Sequence, residues 1–66
     1  MKLAEYLDKH GISRIWLAYQ LGITYQTLYK KLVGKGNFSI EQALKVKNLL
    51  RLTEKEFEDI FGGDND

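Results

Sequence analysis

Residues 13–34 of this chain read SRIWLAYQLGITYQTLYKKLVG. Ser13 and Thr24 are residue types that cap helix N-termini, because a hydroxyl oxygen accepts a hydrogen bond from an unpaired amide of the first turn. Gly22 lies between them, and glycine readily takes the left-handed conformation in which helices often end. The pattern predicts two short helices joined by a tight turn, over residues 14–21 and 25–32.

The apolar residues of this stretch recur at helical spacing. Across the turn, a face of Leu17, Ala18 and Leu21 is expected to meet Leu28 and Leu32. A small residue such as Ala18 lets two helix backbones approach each other where they cross. The pair is typical of a helix-turn-helix unit, although its shape alone leaves an ordinary helical hairpin as an equal alternative.

The second helix of this pair turns polar and aromatic side chains away from its leucines. A helix that only completed a core would have no use for two exposed tyrosine rings, so this face favours a binding surface. The residues that share it are Tyr25, Gln26, Tyr29 and Lys30.

Capping signals predict three further helices. Ser39 with Gln42, and Thr53 with Glu56, have the spacing of a capping box, in which two side chains and two backbone amides bond reciprocally. Glycines at 11 and 62 are placed to end the first and last helices. The three helices are expected over residues 2–9, over residues 40–50, and from residue 54 to the glycine at 62.

The inward faces of these helices follow from the spacing of apolar residues. Trp16 and Tyr19 lie three positions apart on the second helix, and a place in the core is the favoured interpretation, with a subunit contact as the alternative. In the last helix the core residues are expected to be Phe57, Ile60 and Phe61. In the fourth helix they are expected to be Ile40, Ala43, Leu44, the stem of Lys47, and Leu49 or Leu50.

A chain of 66 residues without cysteine supports one domain and offers no disulfide or thiolate metal site. We expect an all-α fold, a compact five-helix bundle over residues 1–61, and a disordered acidic tail over residues 62–66. The single histidine, His10, cannot build a zinc site alone, and no apolar run approaches the roughly 18 residues of a membrane span. Because the first residues include an acid and no apolar signal core, a cytoplasmic location is expected.

The net charge of +1 hides an asymmetry along the chain. Residues 1–51 carry nine basic and three acidic side chains, whereas residues 52–66 carry one basic and six acidic ones. The 32 residues from 9 to 40 contain no acid at all. Such a stretch favours a positive face toward a polyanion, with a plain solvated surface as the alternative.

Several motifs along the chain resemble the Cro and phage-repressor type of helix-turn-helix DNA-binding proteins. The resemblance extends from about Leu3 to Phe61, including the ending over 52–57, and its specificity lies in the joint spacing of the motifs. They are Leu17-Ala18, Leu21-Gly22-Ile23-Thr24, Gln26-Thr27-Leu28, Lys30-Lys31-Leu32 and Gly34-Lys35.

This resemblance implies a lambda-repressor-like domain whose third helix lies in the major groove of duplex DNA. Two positions depart from the family pattern: Arg14 stands where glutamine is frequent, and Ile15-Trp16 where polar residues are more common. The residues implied to face the bases are Thr24, Tyr25, Gln26 and Tyr29. Those placed to meet phosphates are Arg14, Lys30, Lys31, Lys35, Asn37 and Ser39.

The chemistry of these residues suits such contacts. The carboxamide of Gln26 can both donate to and accept from adenine, and tyrosine rings can contact thymine methyl groups. Each residue also has a simpler interpretation: Tyr25 and Tyr29 as partly packed side chains, Thr24 as a helix cap, and the lysines as solubilising charges.

The function expected from the sequence is sequence-specific DNA binding by a small transcriptional repressor, a homodimer on a palindromic operator at the nucleoid. One histidine, no cysteine and no phosphate-binding glycine loop argue against an enzyme, and we expect no cofactor, no metal, no membrane and no small-molecule substrate. The alternative is a protein-interaction module of antitoxin or anti-repressor type. A third possibility is nonspecific nucleoid binding.

Overall fold

The computed structural model describes residues 2–62, and every element of secondary structure within them is helical. The predicted all-α class is confirmed, and the predicted bounds agree with the observed ones, except that the last helix is π-helical from Glu58 onward. The elements are α1 (Lys2–Lys9), α2 (Arg14–Leu21), α3 (Tyr25–Leu32), α4 (Ile40–Leu50), α5 (Glu54–Phe57) and a closing π-helical turn (Glu58–Gly62).

Four of the helices begin at the predicted hydroxyl caps. The side chains of Ser13 and Thr24 accept from the third amides of α2 and α3. Ser39 and Thr53 do the same for α4 and α5, and both capping boxes are complete. Because a cap contributes about 1 kcal/mol and its signal is local, helix starts are well determined by the sequence.

Helices α2 and α4 both end at a residue in the left-handed region, a glycine in α2 and an arginine in α4. Gly22 ends α2 in the left-handed region, with φ 73° and ψ 28°, and its amide donates to the last carbonyls of the helix. Arg51 ends α4 in the same region, with φ 55° and ψ 47°, although it carries a side chain. This conformation costs a non-glycine residue about 1 kcal/mol, and a sequence search for glycine caps does not find it.

The core lies between the helices in a body of 27 × 24 × 22 Å. In it α2 packs against α3 and α4, and α1 packs against the π-helical turn. The predicted core positions Phe57 and Phe61 are partly buried against it, and Phe61 meets Phe38 edge-on at 5.6 Å between ring centres. The buried residues are Leu3, Leu7, Leu17, Ala18, Leu28, Leu32, Ala43, Val46, Leu52 and Ile60.

The predicted inward face of α4 is partly wrong. Ile40 is 81% exposed and Leu44 is 47% exposed, whereas Val46 is fully buried. This helix has apolar residues on two sides, and its contact with α2 selects the side that carries Ala43 and Val46. Leu49 and Leu50 are both partly buried against the core, which is compatible with the predicted inward position of one or the other.

The core placement favoured for Trp16 and Tyr19 is also wrong, because these side chains are 41% and 80% exposed. Leu17, Ala18 and Leu21 occupy the side of α2 that faces the core. At about 100° per residue, Trp16 and Tyr19 fall on the opposite side of the helix. Together with exposed Ile15 they form an apolar outer face of α2.

Only the first residue of the predicted tail over residues 62–66 is among the described residues. Gly62, which the sequence assigns to the tail, is the last residue of the π-helical turn. The rest of the predicted tail, residues 63–66, lies outside the described residues. Within residues 2–62 we find no helix with the length and apolar character to cross a membrane.

Candidate nucleic-acid interface

One side of helix α3 packs on the core, and most of the rest of the helix is exposed to solvent. Leu28 is completely buried and Leu32 nearly so, which fixes the rotation of the helix on the core. Beside this buried side Tyr25 is 44% exposed and Tyr29 is 52% exposed, and Gln26, which lies farther round the helix, is exposed as well. The outward face predicted from the sequence is therefore the accessible face.

The two tyrosine rings lie side by side on this face. Their centroids are 6.4 Å apart and their planes are inclined by 30°. Beside them is an open cleft of about 370 Å³, which joins three of the four predicted base-facing residues to two of the predicted phosphate-facing lysines. The lining residues are Tyr25, Gln26, Tyr29, Lys30 and Lys35.

Lys35 reaches this cleft although it follows the helix. Beyond the end of α3 the chain turns back through Gly34, whose φ of 88° lies in the left-handed region. The amide of Lys35 then donates a 2.8 Å hydrogen bond to the carbonyl of Lys30. Through this closing turn both exposed lysines, Lys30 and Lys35, line the cleft.

Thr24 is exposed, but its hydroxyl is engaged within the helix start. It accepts a 3.1 Å hydrogen bond from the Thr27 amide and donates a 2.9 Å one to the Thr27 hydroxyl. Capping is therefore its main structural role, and it fixes where Tyr25 and the rest of the outward face begin.

Lys31 and the loop after α3 form a contact of their own. The Lys31 ammonium donates a 2.7 Å hydrogen bond to the Asn37 carbonyl and lies 5.7 Å from the centre of the Phe38 ring. The Asn37 residue is exposed, and the Ser39 hydroxyl accepts from the Gln42 amide at the start of α4. Of the predicted phosphate-facing set, Lys31 and Ser39 thus also hold the loop in place.

Arg14 is paired with Asp8, a residue that the sequence reasoning did not single out. Its Nη1 donates to Asp8 Oδ1 at 2.7 Å, which links the end of α1 to the start of α2. This hydrogen bond lowers the pKa of Asp8, and it is the main reason that the pKa of Arg14 is raised. The signal available in the sequence was the pair's position on either side of the turn at 11–13.

The charge around the face is one-sided. The nearest acid before the 9–40 stretch, Asp8, is already bonded to Arg14, so it is partly neutralised. Lys30 and Lys35 remain exposed beside the tyrosines. Within residues 2–62, no group of three or more potential ligands among His, Cys, Asp and Glu is close enough to hold a metal ion.

Taken together, the face offers aromatic surface, one carboxamide and two ammonium groups around an open cleft. The carboxamide can donate and accept hydrogen bonds, the rings can cover apolar groups, and the lysines can neutralise anions. Comparisons of the chain with protein-family models, with curated proteins and with solved structures found no match.

Proposed function

We propose that this chain binds duplex DNA with sequence preference, places α3 in the major groove, and regulates transcription by occupying an operator. The observation that carries the proposal is the outward face of α3, where Tyr25, Gln26 and Tyr29 are accessible while the leucines of the same helix are buried. An α-helix fits the major groove, and side chains on its outer face reach base edges there.

The arrangement of α2 and α3 supports a lambda-repressor-like helix-turn-helix domain. The two helices pack on each other and are joined by a turn in which Gly22 is left-handed and Thr24 caps the second helix. These are the positions that carry the resemblance to Cro and phage repressors. In such a domain α3 reads bases while neighbouring segments hold the phosphates.

The contacts divide the phosphate-facing residues into two groups. Lys30 and Lys35 are exposed and line the cleft, so they are the first candidates for phosphate binding. Arg14 and Lys31 have intramolecular partners, which a phosphate would have to replace or share. Asn37 and Ser39 lie at the following loop, where they are the outer edge of the proposed contact.

A homodimer on a palindromic operator is part of the proposal, because two modules on half-sites gain affinity that one small domain lacks. An apolar groove of about 310 Å³ between α4 and the segment of α5 and the π-helical turn, which includes Ile40, Leu44 and Phe61, offers a surface for a second copy. Leu44→Glu should then reduce cooperative binding to a palindrome while binding to one half-site persists. Equal palindrome binding by this variant and the wild type would contradict dimerisation through the groove.

The experiment that tests the function is selection of duplexes from a randomised pool, followed by titration of the selected duplex at several salt concentrations. Specific binding predicts an enriched sequence and a log K that falls with log salt by about 0.9 for each neutralised phosphate. Lys30→Ala should reduce this slope, whereas Lys55→Ala, which removes an exposed charge within the acidic segment, should not. A steep slope without enrichment would indicate nonspecific nucleoid binding instead.

A second candidate function is a protein-interaction module of antitoxin or anti-repressor type. The observation that favours it is the apolar outer face of α2, formed by Ile15, Trp16 and Tyr19. Exposed apolar patches of this kind often mark protein contacts. Salt-insensitive binding to a protein that is lost in Tyr19→Ala, together with no association with duplex DNA, would favour this function.

The first proposal, a DNA-binding regulator, also implies a location: such a protein would work in the cytoplasm at the nucleoid.

A further inference from the structure

We propose that the cleft on α3 selects an A·T base pair by placing the thymine methyl group against the rings of Tyr25 and Tyr29. This inference rests on the proposed DNA binding and adds the base pair that the site prefers. The residue assigned to the adenine of the same pair is Gln26.

The cleft has two chemically different walls. At about 100° per residue, Tyr25 and Tyr29 lie along the edge of the outward face that is nearer the leucines, and Gln26 and Lys30 lie about 100° farther round the helix. The tyrosine rings, 6.4 Å apart and inclined by only 30°, form a nearly continuous apolar wall. A ligand that fits both walls must present an apolar group next to hydrogen-bonding groups.

The major-groove edge of an A·T pair has this character. Thymine carries the only methyl group among the four standard bases, and adenine beside it offers the N7 acceptor and the N6 donor. A glutamine carboxamide can bond to both adenine atoms at once. A G·C pair has a C5–H in place of the methyl group, so the tyrosine wall would lose this apolar contact, and guanine offers two acceptors where adenine offers an acceptor and a donor.

The two lysines that line the cleft complete the assignment. Lys30 lies one turn beyond Gln26, and Lys35 is held beside it by the bond between its amide and the Lys30 carbonyl. Both are exposed, so they can meet the phosphates that flank the pair while the tyrosines and the carboxamide remain at its edge.

The test is to replace each thymine of a selected duplex, one at a time, by deoxyuridine. This change removes the methyl group and leaves every hydrogen-bonding group in place. At the position read by the cleft we expect binding about fourfold weaker, the value for one buried methyl-sized group. Titrations by fluorescence anisotropy in dilute salt measure the ratio of the two dissociation constants.

Protein variants assign the effect to the rings. Tyr25→Ala or Tyr29→Ala should bring the thymine-to-deoxyuridine ratio close to one at that position. Tyr25→Phe and Tyr29→Phe keep the aromatic surface and should retain the fourfold ratio. Tyr19→Ala removes an exposed tyrosine on the outer side of α2 and serves as the matched control, with affinity and ratio unchanged.

The outcomes separate this inference from the function on which it rests. Sequence-specific binding with no deoxyuridine penalty at any position, or a selected site with G·C opposite Gln26, would overturn the base-pair assignment and leave DNA binding intact. No association with any duplex, or tighter binding to single strands than to duplexes, would overturn the proposed function as well.

Discussion

The ammonium group of Lys31 donates a 2.7 Å hydrogen bond to the carbonyl oxygen of Asn37, across six residues of chain. Through this bond a side chain of α3 holds the loop that leads to α4. Its neighbour Lys30 instead is exposed and lines the cleft beside the tyrosines. Two adjacent lysines of the same helix therefore have separable roles, one structural and one proposed for DNA.

Replacement of these two lysines should separate stability from binding. Lys31→Ala is expected to lower the free energy of unfolding by about 1 kcal/mol, because it removes a charge-assisted bond and the packing of the stem near Phe38. Lys30→Ala should change it by less than about 0.5 kcal/mol, as is typical of exposed positions. Urea denaturation followed by circular dichroism measures both. Equal losses of stability would show that the Lys31 contact does not hold the loop.

Release of Arg14 from its partner should strengthen DNA binding. In Asp8→Asn the guanidinium loses its ion pair and becomes available to a phosphate, so the slope of log K against log salt should steepen by up to about 0.9. Glu5→Gln removes a charge from an exposed position of the same helix and is the matched control. If both variants raise affinity equally, the effect is general electrostatics and Arg14 has no specific role.

The same ion pair predicts a pH dependence of stability. The hydrogen bond from Arg14 lowers the pKa of Asp8 in the folded chain below its ordinary value of 3.8. A carboxyl whose pKa is depressed on folding stabilises the folded state above its unfolded pKa, and this contribution is lost as the pH falls through the folded pKa. Thermal unfolding of Asp8→Asn should therefore lose part of the acid sensitivity seen in the wild type below about pH 4. Identical pH profiles for the two proteins would contradict the pairing.

A glycine at the end of α4 should stabilise the protein. Arg51→Gly is expected to raise the free energy of unfolding by roughly 1 kcal/mol, because its φ of 55° is unfavourable for a residue with a side chain. Asn48→Gly, inside the same helix, should lower it by about 0.3 kcal/mol and controls for the general effect of glycine. A destabilised Arg51→Gly would mean that the arginine side chain makes a contact worth more than the backbone cost.

The sequence predicts helix ends better than helix faces, for a physical reason. Ser13, Thr24, Ser39 and Thr53 act within a few residues of their own position, so their bonds can be anticipated from spacing alone. Which side of α4 is buried depends on its contact with α2, which is distant in the chain. For that reason the spacing of apolar residues along α4 does not predict the burial of Val46.

The candidate site also has one part that the sequence predicts and another part that it does not. The outward face of α3 follows from the spacing of its own leucines, and the structure leaves that face accessible. The place of Lys35 in the cleft and the pairing of Arg14 with Asp8 depend on how the chain turns at two glycine-containing loops. Residue types indicate that such charges exist, but the turns decide which of them have an intramolecular partner.

Base reading by the outward face of α3 is tested most directly by a comparison of Gln26→Ala with Lys30→Ala. Affinities of both variants are measured against the selected duplex and its complete set of single base-pair changes. We predict that Gln26→Ala loses about 1 to 3 kcal/mol of discrimination at one position, while Lys30→Ala weakens binding to all duplexes nearly alike. Equal and uniform losses in both variants would contradict base reading by α3.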